Sequence, residues 1–154
     1  MTLLILMRHA KAKAAAPTDH ARELTARGHE QAQQAADWLK KADCAPDFAV
    51  VSDSVRTRQT FEGLNLNCEV IFAENAYNAS SSELMDLIKA VQSDRECVLV
   101  IGHNPGISDL AFTLGHRRSV TPGSVVLAQW KGDASQLGRS AVQIIGNFSP
   151  NDDD

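Results

Sequence analysis

Short apolar runs alternating with helical periodicities pattern this chain. Leu3-Leu4-Ile5-Leu6-Met7 runs straight into Arg8, His9 and Ala10. A run this short and this uniformly apolar predicts a strand buried on both faces, as in a parallel sheet. Phe48-Ala49-Val50-Val51 predicts a second buried strand, and Val70-Ile71-Phe72 a short third. Glu96-Cys97-Val98-Leu99-Val100-Ile101 carries the strongest strand signal. Val125 to Trp130 and Ala141 to Ile145 predict two late strands, candidates for antiparallel pairing with the rest.

Helices fill the gaps. Thr25 is the expected N-cap of a helix whose narrow apolar face is Ala32, Ala35, Ala36, Leu39 and Ala42, spaced by three and four. Gln31, Gln33, Gln34, Lys40 and Lys41 are expected to face water. Pro46-Asp47 ends that helix. Ser52-Asp53-Ser54 offers N-caps for a helix over residues 55–64, with Arg56 and Arg58 near its first turn. Ser80 and Glu83 have capping-box spacing ahead of a helix with Leu84, Leu87, Ile88 and Val91 on one face. Asn104 followed by Pro105 reads as N-cap and first helical position. Residues 11–22 read as a loop, as do His116-Arg117-Arg118 and Lys131 to Arg139. Thr121-Pro122-Gly123-Ser124 reads as a turn.

Strands alternating with helices predict an α/β fold with a mostly parallel sheet. A length of 154 residues suits one domain, expected over 1–148 with an acidic tail at 149–154 in which Asp152-Asp153-Asp154 frays. Net charge is −4, which favours neither nucleic acid nor an anionic membrane, so any phosphate site must be a local cluster. Cys44, Cys68 and Cys97 follow no metal-ligand spacing and suit a reduced cytoplasmic protein, with Cys97 in the core. The first apolar run lacks the basic flank and length of a signal peptide, and no stretch approaches the ~20 apolar residues of a membrane span.

The chemistry lies at the strand ends. Arg8 and His9, Arg56, and His103 each fall just beyond the carboxyl end of a predicted strand, where parallel sheets bind ligands. Two arginines and two histidines around one point make an anion pocket suited to phosphate. His9 is the candidate nucleophile, since a neutral imidazole nitrogen accepts a phosphoryl group directly. Arg8, Arg56 and His103 are the candidate phosphate-binding groups. At the start of the 55–64 helix, the N–H groups and an arginine are expected to share the anion. His20 and His29 read as surface groups, Trp38 and Trp130 as packing residues, and Ser52 as a cap or brace. The 116–118 loop reads as a solvated loop or an attracting rim.

Arg8-His9-Ala10, Ser52 with Arg56 and Gln59-Thr60, and Gly102-His103-Asn104-Pro105-Gly106 together resemble the histidine phosphatase superfamily, also called phosphoglycerate-mutase-like. The chain's small size and Arg22-Glu23-Leu24-Thr25-Ala26-Arg27-Gly28 resemble its SixA-type phosphohistidine phosphatase branch. The resemblance runs from about Leu3 to Trp130. It implies a three-layer α/β/α sandwich, a phosphohistidine intermediate on His9, a pocket of Arg8, Arg56 and His103, and no metal or other cofactor. Ala10 stands where many members have Gly, and Asp53 where Pro often follows the Ser. Many members also carry a carboxylate that protonates the leaving oxygen. Glu74, just after the third strand, is the candidate by position, and Asp19 in the first loop is its rival.

The expected function is therefore a metal-independent phosphatase acting on phosphohistidine in a partner protein. No large insertion covers the pocket, which suits a protein side chain better than an enclosed metabolite. A small-molecule phosphomonoesterase is the first alternative, and a non-catalytic phosphate or phosphoprotein binder is the alternative of another class. A mutase would need more chain to enclose its substrate. A metallohydrolase would need ligand spacing that this sequence lacks.

Overall fold

The computed structural model describes residues 1–91 and 94–150; the predicted acidic run Asp152-Asp153-Asp154 lies outside the described residues. Six strands form one sheet: β1 (Thr2–Arg8), β2 (Phe48–Ser52), β3 (Glu69–Ala73), β4 (Cys97–Gly102), β5 (Val125–Trp130) and β6 (Gln143–Phe148). Their order is β3-β2-β4-β1-β5-β6. The first four in that order run parallel, β5 is antiparallel to β1, and β6 is antiparallel to β5. β5 thus runs against the rest as expected, whereas β6 runs the same way as β1.

Four helices complete three layers: α1 (Ala26–Lys41), α2 (Val55–Leu64), α3 (Ser81–Lys89) and α4 (Gly106–Leu114). Alternate side chains of each central strand point to opposite faces. Leu4 and Leu6 of β1 and Val98 and Val100 of β4 join Leu84 and Ile88 of α3 and Ile107 and Leu110 of α4 in one core cluster. Ile5, Met7, Leu99 and Ile101 join Ala35 and Leu39 of α1 and Leu64 of α2 in the other. Both faces of β1 and β4 are covered, which is why these strands read as unbroken apolar runs. The resulting α/β/α sandwich is the one the family resemblance implies.

Local chemistry sets the helix ends. The Thr25 hydroxyl accepts from the Gly28 N–H, the Ser54 hydroxyl accepts from the Thr57 N–H, and Ser80 with Glu83 closes a capping box. Three expectations need correcting. α4 starts at Gly106, one residue later than predicted; Pro105 holds the cap position, and Asn104 caps from behind it, its Oδ1 accepting from the Ser108 N–H at 3.1 Å. Gln31 is buried rather than solvated, because its Oε1 accepts from the Lys11 N–H at 2.8 Å, which satisfies the amide inside the fold. Ala42, placed on the apolar face, is exposed as the C-cap of α1. In addition, β6 lies two to three residues later than predicted, because this edge strand alternates exposed with half-buried positions and has no apolar run to mark it.

Candidate active site

β2, β4 and β1 are adjacent and parallel, so their carboxyl ends open on one edge of the sheet. Met7 pairs with Ile101 and Val51 also pairs with Ile101, so the three ends are level. His9 follows β1, His103 follows β4, and Ser52 ends β2 one turn before Arg56. His9, Arg56 and His103 thus meet, as the strand-end pattern predicts, while Arg8, next to His9 in the chain, is felt by it as a charge and makes its own hydrogen bond to the Val120 carbonyl. His9, Arg56, His103 and Ser52 are all buried.

Backbone anchors hold His9 in place. Its N–H donates to the Gly102 carbonyl, and its own carbonyl accepts from the Gly123 N–H, which Gly123 reaches at φ +77°. Thr60 of α2 accepts from the Ala10 N–H and donates to the Arg56 carbonyl, tying this strand end to α2. The imidazole Nδ1 lies 2.7 Å from the Ala10 carbonyl oxygen. A carbonyl only accepts, so Nδ1 carries the proton. Nε2 is then a lone pair, and it accepts from Arg56 Nε at 3.3 Å. Burial, followed by the charges of Arg56 and Arg8, pushes the His9 pKa down to about 4, against the opposing pull of the Ala10 carbonyl.

His103 has the opposite tautomer. Its Nδ1 lies 3.2 Å from Arg56 Nη2, which only donates, so Nδ1 accepts. Its Nε2 therefore donates to Ser52 Oγ at 2.8 Å, which makes Ser52 a brace. Burial lowers the His103 pKa to about 3, helped by His9 and Arg56. The rings of His9 and His103 lie 5.3 Å apart. Two neutral imidazoles thus aim bare nitrogens at one guanidinium edge, an arrangement an incoming anion with several acceptor oxygens can replace.

Arg8 is half-buried. Its Nη1 donates to the Val120 carbonyl at 3.3 Å, while its buried Nε has no hydrogen-bond partner among the described residues. Arg58, by contrast, turns away: it lies 4.1 Å over the Phe72 ring and donates to the Asp53 carbonyl. The expected sharing of an anion with the α2 N-terminus meets an obstacle, because the Val55 N–H donates to the His20 carbonyl and the Thr57 N–H to Ser54. The local loop, rather than a ligand, satisfies those donors.

The two candidate acids are placed differently. Glu74 opens a 3-10 turn (Glu74–Ala76) after β3 and is exposed, and among the described residues no side-chain hydrogen bond or ion pair joins it to the cluster. Asp19 lies directly on Arg56: its carbonyl accepts from Nη1 at 2.7 Å and its Oδ2 from Nη2 at 3.0 Å. Oδ1 accepts from Arg22 at 3.1 Å, and Oδ2 also accepts from the Tyr77 hydroxyl. The hydrogen bonds from Tyr77 and Arg22, then Arg56, hold the Asp19 carboxyl well below the usual carboxylate range.

Sequence reasoning missed Tyr77, whose ring lies edge-on to His103 at 5.3 Å. It undervalued His20, which is not a lone surface group: its Nε2 lies 2.9 Å from Asp53 Oδ1 and its ring 5.1 Å from Tyr77. A single aromatic in a turn carries no periodicity, so no pattern points to Tyr77. Arg117 lies over the Phe112 ring in the basic loop. Among the described residues, no three His, Cys, Asp or Glu are grouped to hold a metal ion, and no helix is long and apolar enough to cross a membrane.

The chain matches the histidine phosphatase superfamily (branch 1) over residues 4–77. It is 35% identical over 111 residues to an uncharacterized protein of Mycobacterium tuberculosis, covering 70% of this chain and 69% of that one. A phosphohistidine phosphatase SixA homolog of Haemophilus influenzae is 25% identical over 151 residues, covering 87% and 92%. Among solved structures, a protein of Nakamurella multipartitia provisionally called phosphohistidine phosphatase SixA superposes with a TM-score of 0.90 at 28% identity, covering 97% of this chain and 96% of that one. The chain belongs to the histidine phosphatase superfamily, branch 1, as a SixA-like phosphatase.

Proposed function

We propose that the protein removes the phosphoryl group from phosphohistidine on a partner protein, through a phosphorylated His9. The observation that carries this reading is the state of Asp19. Held by Tyr77, Arg22 and Arg56, the carboxylate bordering the pocket stays ionised and has no proton to give a leaving group. An alkyl phosphomonoester departs as an alkoxide unless an acid protonates it. A phosphohistidine protonated on its second ring nitrogen departs as neutral imidazole and needs no such acid.

In this reading His9 Nε2 attacks phosphorus in line. The P–N bond of the substrate breaks, and its electron pair returns to the leaving imidazole. His9 keeps its Nδ1 proton on the Ala10 carbonyl, which stabilises the positive charge on the phosphorylated ring. Arg8 and Arg56 neutralise the equatorial oxygens, and His103 joins them by sharing on Nδ1 a proton that the bound phosphoryl group carries in and that phosphate carries out. Water then attacks the same phosphorus, the P–Nε2 bond breaks, and His9 returns neutral; the water's protons leave on phosphate and to solvent. No step is assigned to Glu74. The superfamily likeness and the SixA name of the Haemophilus relative support the substrate class. The free thiols of Cys44, Cys68 and Cys97 suit work in the cytoplasm.

The test is a quenched phosphotransfer assay on wild type and His9→Ala, paired with turnover of a phosphohistidine-bearing protein and of phosphomonoesters graded by leaving-group pKa. Acid-labile, base-stable label on wild type alone is expected, with rates on esters falling steeply as the leaving group becomes more basic. Equal rates on alkyl phosphates would instead favour the small-molecule phosphomonoesterase. Neither label nor turnover would favour a binding module.

A further inference from the structure

Arg56 presents five N–H donors in a planar fork. Its side-on edge, Nε with one Nη2 proton, faces His9 Nε2 and His103 Nδ1 at 3.3 and 3.2 Å. Its end-on edge, Nη1 with the other Nη2 proton, is taken by the carbonyl and carboxylate of Asp19 at 2.7 and 3.0 Å. Asp19 therefore does not compete for the edge that faces the histidines; it grips the opposite one. Its own side chain is 49% exposed and sits in a loop, so something must hold it.

Two groups do so. Arg22 takes Oδ1 from the same loop, three residues away. Tyr77 takes Oδ2 from a separate element, the turn that follows β3. The Tyr77 ring is also fixed: it meets the His103 ring at 89°, the His20 ring at 65°, and the Arg56 guanidinium carbon 5.9 Å from its centroid. One side chain thus touches the Asp19 carboxylate, the Arg56 guanidinium and the His103 ring.

We propose that Tyr77 is a positioning residue: by holding Asp19 on the end-on edge of Arg56 and packing edge-on against His103, it sets the angle at which Arg56 meets a phosphoryl group on His9. The proposal rests on the phosphotransfer reading of the site. Removing the hydroxyl leaves the Asp19 side chain tied only to Arg22 and Arg56, which lets the Arg56 fork swivel. The loss falls on the transition state, where charge develops on the equatorial oxygens, and so appears in kcat rather than KM.

The experiment compares wild type, Tyr77→Phe, Asp19→Asn and the double variant on phosphoramidate, a minimal P–N donor, and follows the Arg56 Nε–H resonance by NMR. The expected result is a kcat loss of about tenfold in Tyr77→Phe, below the ~10²-fold that a 1 Å misplacement costs, with KM changed less than about twofold. Asp19→Asn loses more, and the double variant is no worse than Asp19→Asn, because the hydroxyl acts through that carboxylate. The Nε–H signal is sharp in wild type and broadened in both single variants. An unchanged kcat in Tyr77→Phe, a loss confined to KM, or losses that multiply in the double variant would overturn the proposal. Should wild type turn over no phosphodonor, the phosphotransfer reading fails by itself; the Arg56 signal then decides the role of Tyr77, and a sharp signal in Tyr77→Phe overturns it.

Discussion

The Ala10 carbonyl oxygen lies 2.7 Å from His9 Nδ1, and this contact between neighbours in sequence decides which nitrogen of His9 is free. The strand end folds the residue after the histidine back onto its ring, so Nδ1 keeps the proton and Nε2 keeps the lone pair. The small side chain of Ala10 suits this, being wholly buried with its N–H bonded to Thr60.

Replacing His9 with Ala removes that lone pair. Loss of acid-labile label and a fall in kcat/KM of at least about a thousandfold are expected, the scale on which nucleophile deletions act. Native circular dichroism at neutral pH should accompany the loss. A variant retaining a tenth of wild-type turnover would exclude His9 as the nucleophile.

The pH profile follows from the lowered pKa values. With His9 near 4 and His103 near 3 in the free enzyme, both rings are neutral above about pH 5. As pH rises through about 4, kcat/KM should rise and then stay level until the substrate loses its own ring proton, where it should fall. An acid limb centred near 6.5 would show a ring with ordinary basicity.

Stability has its own dependence on pH. The unfolded histidines take up protons below about 6.5, while the folded ones resist until about 4 and 3. The unfolded state therefore binds more protons in this window, and stability falls as pH drops through it. The slope is at most about 1.4 kcal/mol per pH unit for each ring. Urea midpoints at pH 7, 6 and 5 measure it, and a His9→Ala/His103→Ala double variant should show a shallower decline.

Arg56→Lys keeps the charge and loses the fork. Arg56 reaches His9, His103 and both acceptors of Asp19 at once, which one ammonium cannot do. A fall in kcat of about 10²-fold or more is expected, comparable to losing an oxyanion-binding donor. Steady-state kinetics with kcat and KM separated will show it.

Gly28→Ala probes the loop that carries Asp19. A Cβ at Gly28 would stand 2.1 Å from the Lys11 carbonyl oxygen, so backbone must move. Overpacking of this kind costs about 1–3 kcal/mol. A lowered Tm together with a lower kcat is expected, because displacing Lys11 shifts the chain leading to Asp19.

Buried apolar runs made β1, β2 and β4 legible, and capping residues made three helix starts legible. The gathering of His9, Arg56 and His103 was legible to the same extent, because all three follow those runs closely. The order β3-β2-β4-β1-β5-β6 was not, since strand pairing is decided between distant segments. Gln31 was misread because its polarity is satisfied by a backbone N–H that only the fold brings near. Tyr77 and Asp19 join through a contact between residues 58 apart, which leaves no local trace.

The sheet order also divides the labour of the pocket between parts with different freedom to change. Both histidines are rooted in β1 and β4, which are hydrogen-bonded on both sides, so drift there disturbs the whole core. Tyr77 follows β3, an edge strand whose Ile71 and Phe72 are exposed. Substitutions at exposed positions such as Ile71 touch little beyond the rim, whereas Tyr77 at the end of that margin reaches Asp19 and the His103 ring. In a lineage of such proteins the half rooted in β1 and β4 would stay fixed while the outer face of β3 wanders, with Tyr77 held back at its end.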